Sequence, residues 1–211
     1  MALFREHISF GAVLAAAGVV LLYFYAIVTD PVLLGILFFV TCVASFLPDI
    51  DSDSGTPFYA VFGVFTLSCG ALTLFYFLKH PPENIYFTVG APLLAMLVVW
   101  AVGGTLFKRF TRHRGMMHSI PAGLIAAALT FLAARHLEQG EQLSLVFALA
   151  TAVGFASHLV LDEIHSENLV DGNPFEHKRS LGTAVKFFSH SAWINIFTYS
   201  LLAVLVYLAL R

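Results

Sequence analysis

Long apolar runs, each close to the length that crosses a bilayer, dominate this chain and leave little choice of fold. They cover 8–28, 32–47, 57–78, 86–107, 119–134, 143–161 and 192–210. A bilayer core takes about 20 apolar residues per helix, and in hydrocarbon the backbone must satisfy its own hydrogen bonds, as a helix does. Of the residues, 59% are hydrophobic and 11% charged, with a mean hydropathy of +0.84. Soluble domains carry about 25% charged residues. The expectation is an all-α polytopic transmembrane bundle of about seven spans, forming a single integral membrane domain over 1–211. The second and fifth runs are short, which suits a tilted or partly interfacial helix. Pro31, Pro57 and Pro121 fall near helix starts, where a missing N–H costs little. Pro92 falls inside the fourth run, where a kink is expected.

The chain has neither an obvious repeat nor a low-complexity linker. Its first apolar run exceeds a signal peptide's h-region, and no small-x-small cleavage site follows it, so it reads as a retained span. Cys42 and Cys69 lie inside apolar runs and read as small packing residues rather than a disulfide framework. Most of the 21 Phe are expected to face lipid or neighbouring helices, and the net charge of -2 gives no reason to expect nucleic acid as a partner.

Orientation follows from Lys and Arg. With seven spans, the face carrying the N-terminus holds Arg5, Lys108, Arg109, Arg112, Arg114, Lys178, Arg179 and Lys186, and the other holds Lys79, Arg135 and Arg211. That is eight against three of the 11 basic residues. The N-terminus is therefore expected in the cytoplasm. The same topology brings four polar clusters to that face: His7, Pro48 to Asp53, His113 to Ser119, and Ser157 to Asp162.

These clusters are rich in the side chains that bind borderline and hard cations. A lone histidine at the mouth of the first helix, such as His7, is usually just an interfacial residue, and its ligand role rests on the other clusters. Asp49, Asp51 and Asp53 alternate directly after a span. A solvated acidic turn is the plain reading, but three crowded carboxylates are costly without a positive partner. Asp49 and Asp51 are expected to ligate a metal, and Asp53 to cap the next helix. His113 and His118 stand five apart across Gly115, a spacing for a turn rather than one helix face. Ser119 suits a helix cap or a ligand-orienting role. His158 and Asp162 are four apart at the end of a very apolar helix, so they share a face. Ionisable groups in such a place tend to be functional.

An N-terminal His, a Pro-Asp-Ile-Asp turn, a His-Arg-Gly-x-x-His-Ser turn and a Ser-His-x-x-x-Asp helix end occur here in order. They are His7, Pro48 to Asp51, His113 to Ser119, and Ser157 to Asp162. This set resembles the YdjM-like membrane-bound, metal-dependent hydrolases. The stretches Asp162-Glu163-Ile164-His165-Ser166 and Lys178 to Ala184 resemble one branch of that family, and the likeness then covers effectively the whole chain. Compact members lack two spans between the two turns, and here the third and fourth spans fill that gap. An even number of inserted spans preserves sidedness. Some members carry His after the second Asp, where this chain has Ser52. The resemblance implies hydrolysis and a bacterial inner membrane.

Seven candidate metal ligands, His7, Asp49, Asp51, His113, His118, His158 and Asp162, exceed what one four-coordinate catalytic ion needs. They would serve one or two divalent ions, with Zn the first expectation and Mn or Fe also suited. Asp51 and Arg114 are the expected catalytic residues. Arg112, Arg114, Lys178 and Arg179 are the expected phosphate-binding groups. A membrane lipid is the expected substrate, cleaved at a phosphoester or phosphoanhydride. No His-Glu-x-x-His is present, which disfavours a protease. A transporter would hold its polar groups near the midplane, whereas these lie at helix ends. A purely structural protein would not need His and Asp in register on one face. A non-catalytic metal-binding or regulatory module is the alternative. Finally, Leu181, Ala184, Val185 and Phe188 recur at helical spacing, which predicts a short interfacial amphipathic helix.

Overall fold

The computed structural model describes residues 4–51, 56–105, 116–166 and 185–211. Seven α-helices make up the polytopic membrane bundle: α1 (Phe4–Phe24), α2 (Pro31–Ala44), α3 (Thr56–Lys79), α4 (Ile85–Leu97), α5 (Ile120–His136), α6 (Glu141–Ser166) and α7 (Ala192–Ala209). A 3-10 turn, Leu47–Asp51, follows α2, and a π-turn, Val98–Gly103, continues α4. Pro92 lies buried inside α4, and the π-turn begins six residues beyond it. Five helices are long and apolar enough to span a membrane, while α2 and α5, the two short runs, fall below that length.

Local signals account for several helix ends. The Asp30 side chain caps α2 by accepting from Val32 N at 2.7 Å and Leu33 N at 3.2 Å, and Pro31 opens the helix. Ser119 caps α5 by accepting from Ala122 N at 3.3 Å, with Pro121 just behind it. The helix α1 stops four residues before its apolar run does. Ala26 turns left-handed there (φ 52), and Ile27 N and Ala26 N bond back to the carbonyls of Leu22 and Tyr23. Glu138 (φ 59) closes α5 the same way. These are Schellman ends with no glycine to advertise them.

The contacts divide the chain into two compact units, 1–48 with 114–211, and 49–113. In the first, α6 packs on α1, α2 and α5, and α7 packs on α5. Within its most apolar window α6 is 44% buried, against 11–18% in the other four candidate spans, so α6 is central. In the second unit, α3 pairs with α4 and its π-turn. Gly70 admits the Met96 side chain at that pairing.

The expected amphipathic helix is not formed by its described part. Val185–His190 runs as bends and irregular backbone. Asn195 on α7 accepts from Ser189 N (2.7 Å) and donates to Ser189 O (2.9 Å), and Tyr199 Oη donates to Phe187 O at 2.9 Å. Ile120 N, at the start of α5, donates to Lys186 O at 3.1 Å. These bonds to other segments replace the local ladder a helix would need. Leu181 and Ala184 lie outside the described residues.

Candidate metal centre

The site begins with a helix packed too closely for side chains. On α1, His7, Gly11 and Ala15 follow at intervals of four and are all buried. A Cβ on Gly11 would overlap the Ser45 side chain, and one on Gly154 of α6 would overlap the Thr41 carbonyl and the Ala44 methyl. The end of α2 is therefore wedged between α1 and α6 by two glycines, the close approach that drives helix association in membranes. On the far side of α6, Gly123 of α5 makes room for the buried Phe155 ring.

This wedge orients the first ligand candidate. The Ser45 carbonyl, left over at the end of α2, accepts from His158 Nδ1 at 2.9 Å. A carbonyl only accepts, so Nδ1 carries the proton, which leaves Nε2 as the ring nitrogen that can ligate. That Nε2 lies 3.6 Å from Asp162 Oδ2, one turn along α6, and His7 Nε2 lies 3.5 Å from Asp162 Oδ1. The His7 and His158 rings stack at 3.8 Å and 15°. His118 meets His158 edge-on at 5.3 Å. His7, His118, His158 and Asp162 retain only 2%, 1%, 0% and 4% of their exposure.

One carboxylate thus faces two imidazole nitrogens away from water. A carboxylate and two imidazoles form a donor set suited to a divalent cation. Donor atoms bound tetrahedrally at about 2.0–2.2 Å lie about 3.3–3.6 Å apart, which matches the 3.5 and 3.6 Å edges. The buried His7 Nδ1 has no hydrogen-bond partner among the described residues. One donor atom each from His7, His158 and Asp162 falls within 4.8 Å of the others, so the group could hold a metal ion.

The sequence-predicted residues divide as follows. His7, His118, His158 and Asp162 are brought together. His7 sits inside the first turn of α1 rather than ahead of it, because that helix begins at Phe4. Asp49 and Asp51 belong to the 3-10 turn Leu47–Asp51, which also holds fully buried Pro48. The Asp51 side chain, Asp53, Arg112, His113, Arg114, Lys178 and Arg179 lie outside the described residues. Ser119 is a helix cap, and its hydroxyl also donates to Met116 O. Ser157 donates to Gly154 O at 2.6 Å, within its own helix.

Sequence reasoning missed Ser45, because a backbone carbonyl leaves no mark in a sequence. It also missed the pair next to the site, where His165 Nε2 lies 3.6 Å from Glu6 Oε2 and His165 Nδ1 donates to Leu161 O at 3.0 Å. Glu6 adjoins His7, and His165 lies one turn beyond Asp162, so the pair ties the end of α6 to the start of α1. Helical spacing from Asp162 would have put His165 on the same side.

Apolar spanning helices that gather buried His and Asp at their ends define a polytopic membrane protein with a candidate metal centre. A family model described as YdjM inner membrane protein matches residues 1–211, and the chain belongs to that family, an integral protein of the inner membrane. No curated protein and no solved structure matches it.

Proposed function

We propose that this protein is a membrane-embedded, metal-dependent hydrolase acting on a phosphoester or phosphoanhydride of a membrane lipid. The observation that carries the reading is the convergence of buried His7, His158 and Asp162 at the start of α1 and the end of α6. A bound divalent ion, Zn first and Mn or Fe next, would supply Lewis-acid polarisation of a phosphoryl oxygen and activation of water. His7, His158 and Asp162 would hold it, with His118 beside them, and the sequence motifs add His113, Asp49 and Asp51 as candidate ligands for one or two ions. Ser45 keeps His158 in the tautomer that ligates. Asp51 and Arg114 would take part in the proton and charge movements of hydrolysis. Arg112, Arg114, Lys178 and Arg179 would hold the phosphate.

The Lys and Arg distribution supports a cytoplasmic site. The start of α1, the end of α2, the start of α5 and the end of α6 would all lie at that face. A lipid then reaches the metal with its headgroup while its tails remain in hydrocarbon, which favours a lipid over a soluble phosphate. The test is elemental analysis of the purified protein, followed by phosphate or headgroup release from lipid extracts. Stoichiometric metal with release that is lost in Asp162→Ala supports the reading. Metal without turnover of any lipid class would favour a non-catalytic metal-binding or regulatory module.

A further inference from the structure

Nearness alone would let His7, His158 and Asp162 share one ion. The ring planes argue otherwise. An imidazole lone pair lies in the plane of its ring, so an ion bound by two imidazoles must lie in both planes. The His7 and His158 rings stack with centroids 3.8 Å apart and planes inclined by only 15°. Planes so nearly parallel converge slowly. About 2 Å beyond the ligating nitrogens, where a metal would sit, they are still about 2.5–3 Å apart. An ion midway between them would miss both lone pairs. Asp162 repeats this division. Its Oδ1 lies 3.5 Å from His7 Nε2 and its Oδ2 lies 3.6 Å from His158 Nε2, so each oxygen faces a different ring. His118 stands differently. Its ring meets that of His158 at 66° with centroids 5.3 Å apart, and planes so inclined cross within reach of both rings, where one ion can serve both. All four side chains are buried and belong to one compact unit.

We infer that the centre is dinuclear: His7 and Asp162 Oδ1 hold one divalent ion, His158, His118 and Asp162 Oδ2 hold a second, and the Asp162 carboxylate bridges the two. The inference rests on the metal-centre reading, not on hydrolysis, and fixes the number of ions and their division among the ligands. Ser45 supports it. With His158 Nδ1 donating to the Ser45 carbonyl at 2.9 Å, only Nε2 can ligate, and one lone pair serves one ion. Ions in the planes of rings 3.8 Å apart would match the spacing of two-metal sites, about 3.5–4 Å. Two divalent cations beside one buried carboxylate call for further anionic donors, and the sequence supplies Asp49 and Asp51 as candidates.

Manganese provides the test, because its paramagnetism reports on a neighbouring ion. The full chain without an affinity tag is stripped with chelator in detergent, reloaded with Mn(II) and desalted. Elemental analysis then counts ions per chain, and electron paramagnetic resonance reads their coupling. Two ions per chain are expected, with the broadened spectrum of a magnetically coupled pair in place of the sharp hyperfine lines of an isolated ion. His7→Ala should halve the metal to one ion per chain and restore the isolated-ion lines. Asp162→Ala should lose both ions. The parent spectrum needs no substitution, so the question is answered even where a variant fails to fold. One ion per chain in the parent, with isolated-ion lines, would overturn the second ion and leave a mononuclear centre standing. Two uncoupled ions, or two ions retained in His7→Ala, would mean an adventitious second ion and overturn the bridge. A chain that binds no metal would overturn the metal centre and the bridge together. Phosphate release from lipid is measured separately. A coupled pair without release from any lipid removes hydrolysis and keeps the dinuclear centre.

Discussion

Replacing Gly11 by Ala should damage the metal site without touching any candidate ligand. The new methyl would overlap the Cβ and Oγ of Ser45, while the Ser45 Cα stays at 3.9 Å, an ordinary contact. To relieve the overlap, α1 must retreat from α2 by about 1 Å, a displacement that already matters to a preorganised site. His7 is one turn from Gly11, so it would draw away from Asp162, now 3.5 Å distant. Overpacking of this kind costs about 1–3 kcal/mol, offset by up to about 1 kcal/mol from the better helix propensity of Ala. Ser45→Gly in the same chain removes both overlapping atoms and keeps the carbonyl that holds His158. The double variant should therefore regain stability and metal, with a coupling of about 1–3 kcal/mol between the positions. Chemical unfolding in detergent and metal stoichiometry measure the two effects. If the single changes add to within about 0.5 kcal/mol, or if Gly11→Ala binds metal like the parent, the wedge does not position His7.

Five further outcomes are expected, the last two from the charge pattern of the sequence. Ala replacement of His158 or Asp162 should remove bound metal while the helices persist, seen as lost metal by elemental analysis with unchanged circular dichroism; full occupancy in the double variant contradicts their role as ligands. In the parent protein, chelation should lower stability by about 2.7 kcal/mol relative to metal held at a hundred times its dissociation constant, measured as a fall in Tm. Ala26→Gly and Glu138→Gly should each stabilise the protein by about 1 kcal/mol, because each relieves a left-handed residue, and a lowered Tm would contradict the helix ends described. Reporter fusions after residues 55, 83, 140 and 175 should read inside, outside, outside, inside, and a cytoplasmic signal at 140 overturns the topology. Neutralising Lys178 and Arg179 together should raise KM for an anionic lipid at low salt and leave metal content alone.

Much of this protein was readable without coordinates, for a reason specific to membranes. Hydrocarbon cannot satisfy backbone polar groups, so apolar runs of bilayer length must become helices. Seven runs became seven helices, and the two short ones remained the two short helices. Asp30, Ser119, Pro31 and Pro121 act locally, and their capping or starting roles were visible from position alone. His158 and Asp162 were visible for the same reason, because helical periodicity places residues four apart on one face. By contrast, α1 ends in a left-handed turn at an alanine, and Phe187 and Ser189 exchange a predicted helix for bonds to Tyr199 and Asn195.

His7 marks the limit of sequence reading. Alone it reads as an interfacial histidine, and only its place in an ordered set of motifs makes it a candidate ligand. Its partners come from the fold, because Gly11 and Gly154 bring α1 and α6 against the end of α2, stacking its ring on His158 and aiming Nε2 at Asp162. Ser45 gained its role the same way, through a carbonyl that every residue possesses and only position makes useful. The sequence by itself determined the class of protein, its helices and the supply of metal-binding side chains, since those depend on local chemistry and the surrounding solvent. Which side chains meet was decided by tertiary structure, because van der Waals packing between helices acts across more than a hundred residues of chain and leaves no periodic trace.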